Sequence, residues 1–117
     1  MVVAYGDRAA AYMRLKDYEK AVTDLDKAID LDDSYISAYL NRGISLFQLS
    51  EYSAAIEDYD RVLFLDSDRV DIYAHLARAY SMLGIDDKVQ QNIKQLIDRD
   101  IDVTELTEEL IELSELP

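Results

Sequence analysis

No cysteine occurs among the 117 residues, so the chain has neither a disulfide framework nor thiol chemistry to draw on. A single histidine, His75, excludes a histidine-rich metal centre and a Ser-His-Asp arrangement of the usual kind. The three glycines, Gly6, Gly43 and Gly84, stand far apart and form no phosphate-cradling loop. Positive charge is scarce as well. Twelve Lys and Arg face 25 Asp and Glu, a net charge of −13 that nucleic acid or an anionic membrane surface would repel. No apolar run approaches the roughly 20 residues of a membrane span, and the opening MVVAYGDRAAAY lacks the basic start and long apolar core of a signal peptide. A soluble, cytoplasmic chain is expected; a leader removed before residue 1 would leave no trace.

Carboxylates are abundant, but abundance is not a site. Acid-base work by a carboxylate pair needs a pocket that raises one pKa, whereas these residues mostly fall at outward helical positions and turns. The run Asp66, Asp68, Asp71 invites comparison with a calcium loop, which would need Gly at position 71 and Glu at position 77; the chain has Asp71 and Ala77. No catalytic residue, metal or cofactor is expected. The negative charge is spread along the whole chain, which suits a large solvated surface and, as its functional counterpart, attraction for a basic partner.

What the sequence does contain is a period. The stretch from Ala38 to Asp66 reads as two amphipathic helices with a sharp turn at Ser50 and Glu51, because its apolar residues recur at helical spacing and then restart in a new phase. Sliding it until Tyr39 falls on Tyr5 or on Tyr73 also aligns Leu49 with Leu15 and Leu83, Ile56 with Val22, and Asp66 with Asp32 and Asp100. Small residues align too: Gly43 with Ala9 and Ala77, Ala55 with Ala21. Helix axes approach closely only where side chains are small. Ala9 with Ala21 and Gly43 with Ala55 are therefore the expected crossings, and Tyr5, Tyr12, Leu25, Tyr39, Leu46 and Tyr59 the fillers beside them.

This pattern resembles the tetratricopeptide repeat family, whose helix-turn-helix unit has the same period and carries an aromatic, a small residue, an aromatic or leucine, then Ala, a large residue and Ala. Tyr39, Gly43, Leu46, Ala55 and Tyr59 match it, with Val62 in place of the last Ala; Tyr5, Ala9, Tyr12, Ala21, Leu25 and Ala28 match it fully. The third repeat keeps Tyr73, Ala77 and Tyr80 but has Val89, Ile93 and Leu96 in its second half, and Asp86 where Tyr18 and Tyr52 stand. The usual helix-ending proline is replaced by Asp33, Ser67 and Ile101.

The resemblance implies an all-α chain: a right-handed superhelix of three stacked helix-turn-helix repeats, residues 2–35, 36–69 and 70–103, plus a C-terminal capping helix over 103–116, all one array and one domain. The first repeat is expected to have helices near Val3–Leu15 and Tyr18–Leu31. Asp32, Asp33 or Ser34 should cap the next helix, Glu57 and Arg61 should pair on the surface, and Gly84 should end a helix that is followed by another over Asp87–Asp98. In the tail, Val103, Leu106, Leu110 and Leu113 form an apolar stripe behind a capping box of Asp102 and Glu105. That helix would seal the third repeat, its other face carrying Glu105, Glu108, Glu109, Glu112 and Glu115 either to solvent or as an arm for a basic partner. At the other end Met1 to Ala4 are apolar, so the array either continues in a longer protein or meets something there.

In this family the first helices line a concave groove that takes an extended peptide or a helix. The resemblance places Gly6, Ala10, Met13 and Arg14 on that face, followed by Leu40, Asn41, Ile44, Phe47 and Gln48, then Ala74, His75, Arg78 and Met82. The function implied is a non-catalytic interaction module for a protein partner, a peptide or amphipathic helix, of basic character where the acidic surface takes part. Chaperone-binding members hold an acidic C-terminus in a clamp of Lys, Asn, Asn, Lys and Arg. The matching positions here are Gly6, Ala10, Asn41, Asp71 and His75, of which only Asn41 fits. Self-association through the apolar N-terminal end is the alternative.

Overall fold

The computed structural model describes residues 1–115: seven helices and, among the described residues, no strand. They are α1 (Val2–Arg14), α2 (Tyr18–Leu31), α3 (Ile36–Gln48), α4 (Tyr52–Leu65), α5 (Asp71–Leu83), α6 (Asp86–Ile97) and α7 (Thr104–Ser114). They fall into two compact units, Met1–Ser67 and the residues from Asp68 onward.

Each hairpin reverses by the same device. Lys16 (φ 61°), Ser50 (φ 63°) and Gly84 (φ 72°) are all left-handed and occupy the same position of successive repeats. The amide after each reaches back to close the helix end: Asp17 N to Tyr12 O at 2.9 Å, Glu51 N to Leu46 O at 2.8 Å and Ile85 N to Tyr80 O at 3.0 Å. Only Gly84 is free of the Cβ penalty there. A Cβ at Gly84 would touch nothing within 4 Å, so Gly84→Ala is expected to lower stability by about 1 kcal/mol through backbone strain alone. Ser50→Gly should move the urea midpoint the other way.

In the first unit, Ala9, Ala21, Leu25, Ala28 and Ala38 are buried together, with Tyr5, Tyr12, Ile29 and Tyr35 against them. This joins α1, α2 and the start of α3. In the second hairpin the α3–α4 crossing is tight: a Cβ on Gly43 would lie 2.6 Å from Cε1 of Tyr59. Position 43 is therefore a close approach, and the group it makes room for is the Tyr59 ring. Arg61 differs from expectation; its guanidinium lies over the rings of Tyr39 and Phe64, 5.8 and 4.9 Å from their centroids, and not beside Glu57.

Capping differs as well. None of Asp32, Asp33 and Ser34 caps α3, whose N-cap position is taken by Tyr35 without a side-chain bond. Asp32 Oδ1 instead accepts from Ser34 N at 3.0 Å and Ser34 Oγ at 2.6 Å, which braces the turn and holds the carboxyl below its ordinary pKa. Asp102 repeats this before α7, accepting from Thr104 N at 2.9 Å and Thr104 Oγ1 at 2.6 Å. Val103 occupies the N-cap position of α7 with no side-chain cap bond, so the expected capping box becomes a local turn.

Two Arg–Asp forks, one in each repeat of the first unit and in the same register, tie its hairpins. Arg8 donates to Asp24 from Nε at 2.7 Å and Nη2 at 2.6 Å; Arg42 donates to Asp58 at 2.9 and 2.8 Å. Arg42 adds a third bond, Nη1 to Asp26 Oδ1 on α2 at 2.9 Å, which links one hairpin to the next. Asp24 and Asp58 are both buried. The Arg8 bonds hold the Asp24 carboxyl below its ordinary value, whereas burial pushes that of Asp58 up against the pull of Arg42.

In the second unit, Ala77, Val89, Ile93 and Leu96 are buried with Leu106 and Leu110 of α7, and Val103 and Leu113 lie partly buried against them. The apolar stripe of the tail thus seals the α5–α6 hairpin. The last position expected in that helix, Leu116, lies outside the described residues. Here the Arg–Asp fork is replaced: buried Leu76 stands at the column of Arg8 and Arg42, and Asn92 at that of Asp24 and Asp58.

Candidate functional site

The first unit carries most of the expected binding positions on one face each of α1 and α3. Spacing of three and four residues sets Leu40, Ile44 and Phe47 in a stripe along α3. All three are partly buried, as is Asn41, while Gln48 and Arg14 are exposed. Met13 leans into the core of the first hairpin. Phe47 is steadied by Tyr52 of α4, their ring centroids 5.2 Å apart in an edge-to-face contact. Gly6 is not an open position. A Cβ there would meet the Tyr35 hydroxyl at 3.1 Å, so the absent side chain makes room for that ring. The result is an apolar strip along α3 with the amide side chains of Asn41 and Gln48 at its margin.

In the second unit the expected positions lie on α5. Ala74 packs against the core beneath, and His75 and Met82 are partly buried. Arg78, expected on the binding face, donates from Nε to Oε2 of Glu109 on α7. Glu109 follows His75 by the same interval that separates Tyr73 from Tyr39, so α7 continues the register of the first helices, and that offset was the signal available in the sequence. The fork from Arg69 Nε and Nη2 to Asp71, at 3.2 and 3.1 Å, holds the Asp71 carboxyl below its ordinary value although partial burial, the largest single influence, pushes upward.

Burial, then the nearby Arg78, lowers the pKa of His75 from its ordinary 6.5, while Asp71 and Glu109 pull the other way. The unfolded chain takes up a proton there before the folded one does, so His75 makes stability rise with pH. Stability is expected to fall as pH drops through about 6.5, and His75→Gln should flatten that part of the pH–stability curve as read by chemical denaturation.

A cleft of about 180 Å³ bordered by Ser81, Val89, Gln90, Thr107 and Ile111 lies in the second unit, below the roughly 300 Å³ of a typical small-molecule site. Among the described residues no group of three or more His, Asp or Glu side chains is placed to hold a metal ion, and no helix is long and apolar enough to cross a membrane.

Comparison with known proteins finds two family models. One, described as TPR repeat, matches residues 9–50, and one, described as tetratricopeptide repeat, matches residues 36–69, the bounds expected for the second repeat. No curated protein sequence matches the chain. Among solved structures, the first TPR of Spaghetti (RPAP3) bound to the HSP90 peptide SRMEEVD superposes with a TM-score of 0.84 at 18% identity, covering 97% of this chain and 90% of that one. The second TPR domain of human RPAP3, in complex with the HSP70 peptide SGPTIEEVD, gives 0.83 at 19% identity over 98% and 96%. MamA gives 0.81 at 23% identity, with 86% of this chain covering 58% of that one. At these identities the likeness is one of fold.

Proposed function

The chain belongs to the tetratricopeptide repeat family, and from that premise we propose that it is a non-catalytic interaction module whose first helices bind a peptide or amphipathic helix of a protein partner. The observation that carries this reading is the stripe of Leu40, Ile44 and Phe47, partly exposed on α3 and edged by Asn41 and Gln48. An apolar stripe with a polar margin supplies affinity by burial and register by hydrogen bonding. In this reading the three hairpins and α7 form one array, and Met13 on α1 and Met82 on α5, both only partly buried, are adaptable apolar groups that a guest can meet.

The partner segment is not an acidic C-terminus. The RPAP3 domains were solved with peptides ending in EEVD, but here Gly6 and Ala10 offer no side-chain donor and Asp71 adds negative charge. With a net charge of −13, the module favours a segment with lysine or arginine flanking its apolar residues.

Leu40→Glu combined with Phe47→Glu is expected to abolish partner retention in affinity capture while helicity and cooperative unfolding stay intact, since neither side chain belongs to the buried core. Unchanged retention would sink the groove reading. Titration of SRMEEVD by calorimetry should be silent; micromolar binding would overturn the partner class.

A further inference from the structure

Tyr35, at the N-cap position of α3, turns its ring onto α1, with its hydroxyl 3.1 Å from where a Cβ on Gly6 would stand. Gly6, Ala10 and Met13 follow one another at helical spacing along the expected binding face of α1, so the phenol opens onto that face. Its hydroxyl makes no hydrogen bond among the described residues. It is not sealed off either: Ser45 Oγ is the one buried side-chain nitrogen or oxygen there without a partner, so solvent reaches the Tyr35 hydroxyl. Asp7, the next residue of α1, is exposed and likewise makes no hydrogen bond or ion pair among the described residues. It precedes Asn41 by the interval that separates Tyr5 from Tyr39, which puts it in the binding-face column of Asn41. A helix turns by about 100° and rises about 1.5 Å per residue. The carboxylate and the phenol therefore stand at neighbouring places on α1.

We propose that Asp7 and Tyr35 form a subsite for a cationic side chain, lysine or arginine, of the bound segment. The Asp7 carboxylate accepts a charge-assisted hydrogen bond, the phenol oxygen accepts another, and the cation stands beside the Tyr35 ring. Other tyrosines of the first unit show the chemistry already completed. Lys20 lies 5.7 Å from the ring centroid of Tyr12, Arg8 and Lys27 lie 5.9 and 5.6 Å from that of Tyr5, and Arg42 and Arg61 each lie 5.8 Å from that of Tyr39. Tyr35 has no such cation from its own chain among the described residues. The net charge of −13 draws a cation in the same direction. Gly6 acts as a positioning residue, since its missing side chain lets the hydroxyl lie where it does. The place of the subsite rests on the groove reading, whereas the choice of a cation rests on Asp7 and Tyr35 themselves.

The probe is a labelled amphipathic peptide of leucine and lysine, titrated into the intact chain and followed by fluorescence anisotropy. Saturable binding is expected, weakened about tenfold by Asp7→Asn and about fivefold by Tyr35→Phe. Asp30→Asn makes the same change in net charge at an exposed site on α2 and should shift the affinity less than about twofold. The urea midpoint should stay in place for Asp7→Asn and Tyr35→Phe, because the carboxylate is exposed and the ring is kept. Gly6→Ala should weaken binding in the parent, where the new methyl pushes the hydroxyl aside, and should have no effect alongside Tyr35→Phe, where the hydroxyl is gone. Equal losses from Asp7→Asn and Asp30→Asn would overturn the proposal by showing diffuse charge attraction, and so would the absence of binding. The groove reading fails differently: Leu40→Gln with Phe47→Gln would then leave the affinity unchanged while Asp7→Asn still lowers it.

Discussion

Replacing Arg42 by methionine is expected to cost about 3 kcal/mol, read as a fall in the urea midpoint at constant slope. Asp58 is 4% exposed and its two carboxylate oxygens are bonded to that one guanidinium at 2.9 and 2.8 Å. Methionine fills much of the volume but strands a buried charge. The loss should shrink in acid: without Arg42 the raised Asp58 pKa rises further, the folded state takes up a proton before the unfolded one, and the variant recovers stability as pH falls. The third hairpin supplies the control. It carries Leu76 and Asn92 at these columns, so Arg42→Leu with Asp58→Asn should lie within about 1 kcal/mol of the parent, as apolar replacement of a buried pair often does. Asp26, 54% exposed, loses only a surface partner. A double variant as unstable as Arg42→Met would show that the fork itself holds the hairpin together.

Gly43→Ala should destabilise by about 2 kcal/mol even though alanine is the better helix former. The added methyl would lie 2.6 and 2.9 Å from two ring carbons of Tyr59 and 3.3 Å from Cβ of Asp58, and Tyr59 is only 2% exposed, with no room to swing away. The other repeats solve this crossing with a larger small residue and a smaller large one, Ala9 with Leu25 and Ala77 with Ile93. Tyr59→Leu alone leaves a gap and should also be costly. Together the two substitutions rebuild the first repeat's pair, so their combined cost should fall below the sum by at least about 1 kcal/mol. Strict additivity would contradict the reading of position 43 as a close crossing.

These two sites also show what the sequence could and could not disclose. The period was legible because packing repeats it: tyrosines and alanines recur wherever two helices meet, and the hairpins follow. The reciprocity of Gly43 and Tyr59 lay in the same columns. The Arg–Asp forks were hidden since acidic and basic residues read as surface, and the partners stand 16 residues apart on different helices. Their recurrence in register from one repeat to the next was the clue they left. Caps failed for another reason: several competent residues stood before α3 and α7, and whether an aspartate bonds its neighbour's hydroxyl or a helix amide depends on the turn. Of the candidate site, the positions on α3 came from the family resemblance, and the structure leaves Leu40, Ile44 and Phe47 there partly exposed. The engagement of Arg78 was not legible, because the apolar stripe of α7 assigned Glu109 to its solvent side.

The most direct test of the binding account is amide chemical-shift mapping of the intact chain titrated with a captured partner segment. The account predicts shifts concentrated at Leu40 to Gln48 on α3 and around Met13 on α1, with the outer faces of α2 and α4 unmoved. Shifts confined to α2, α4 or α6 would contradict it.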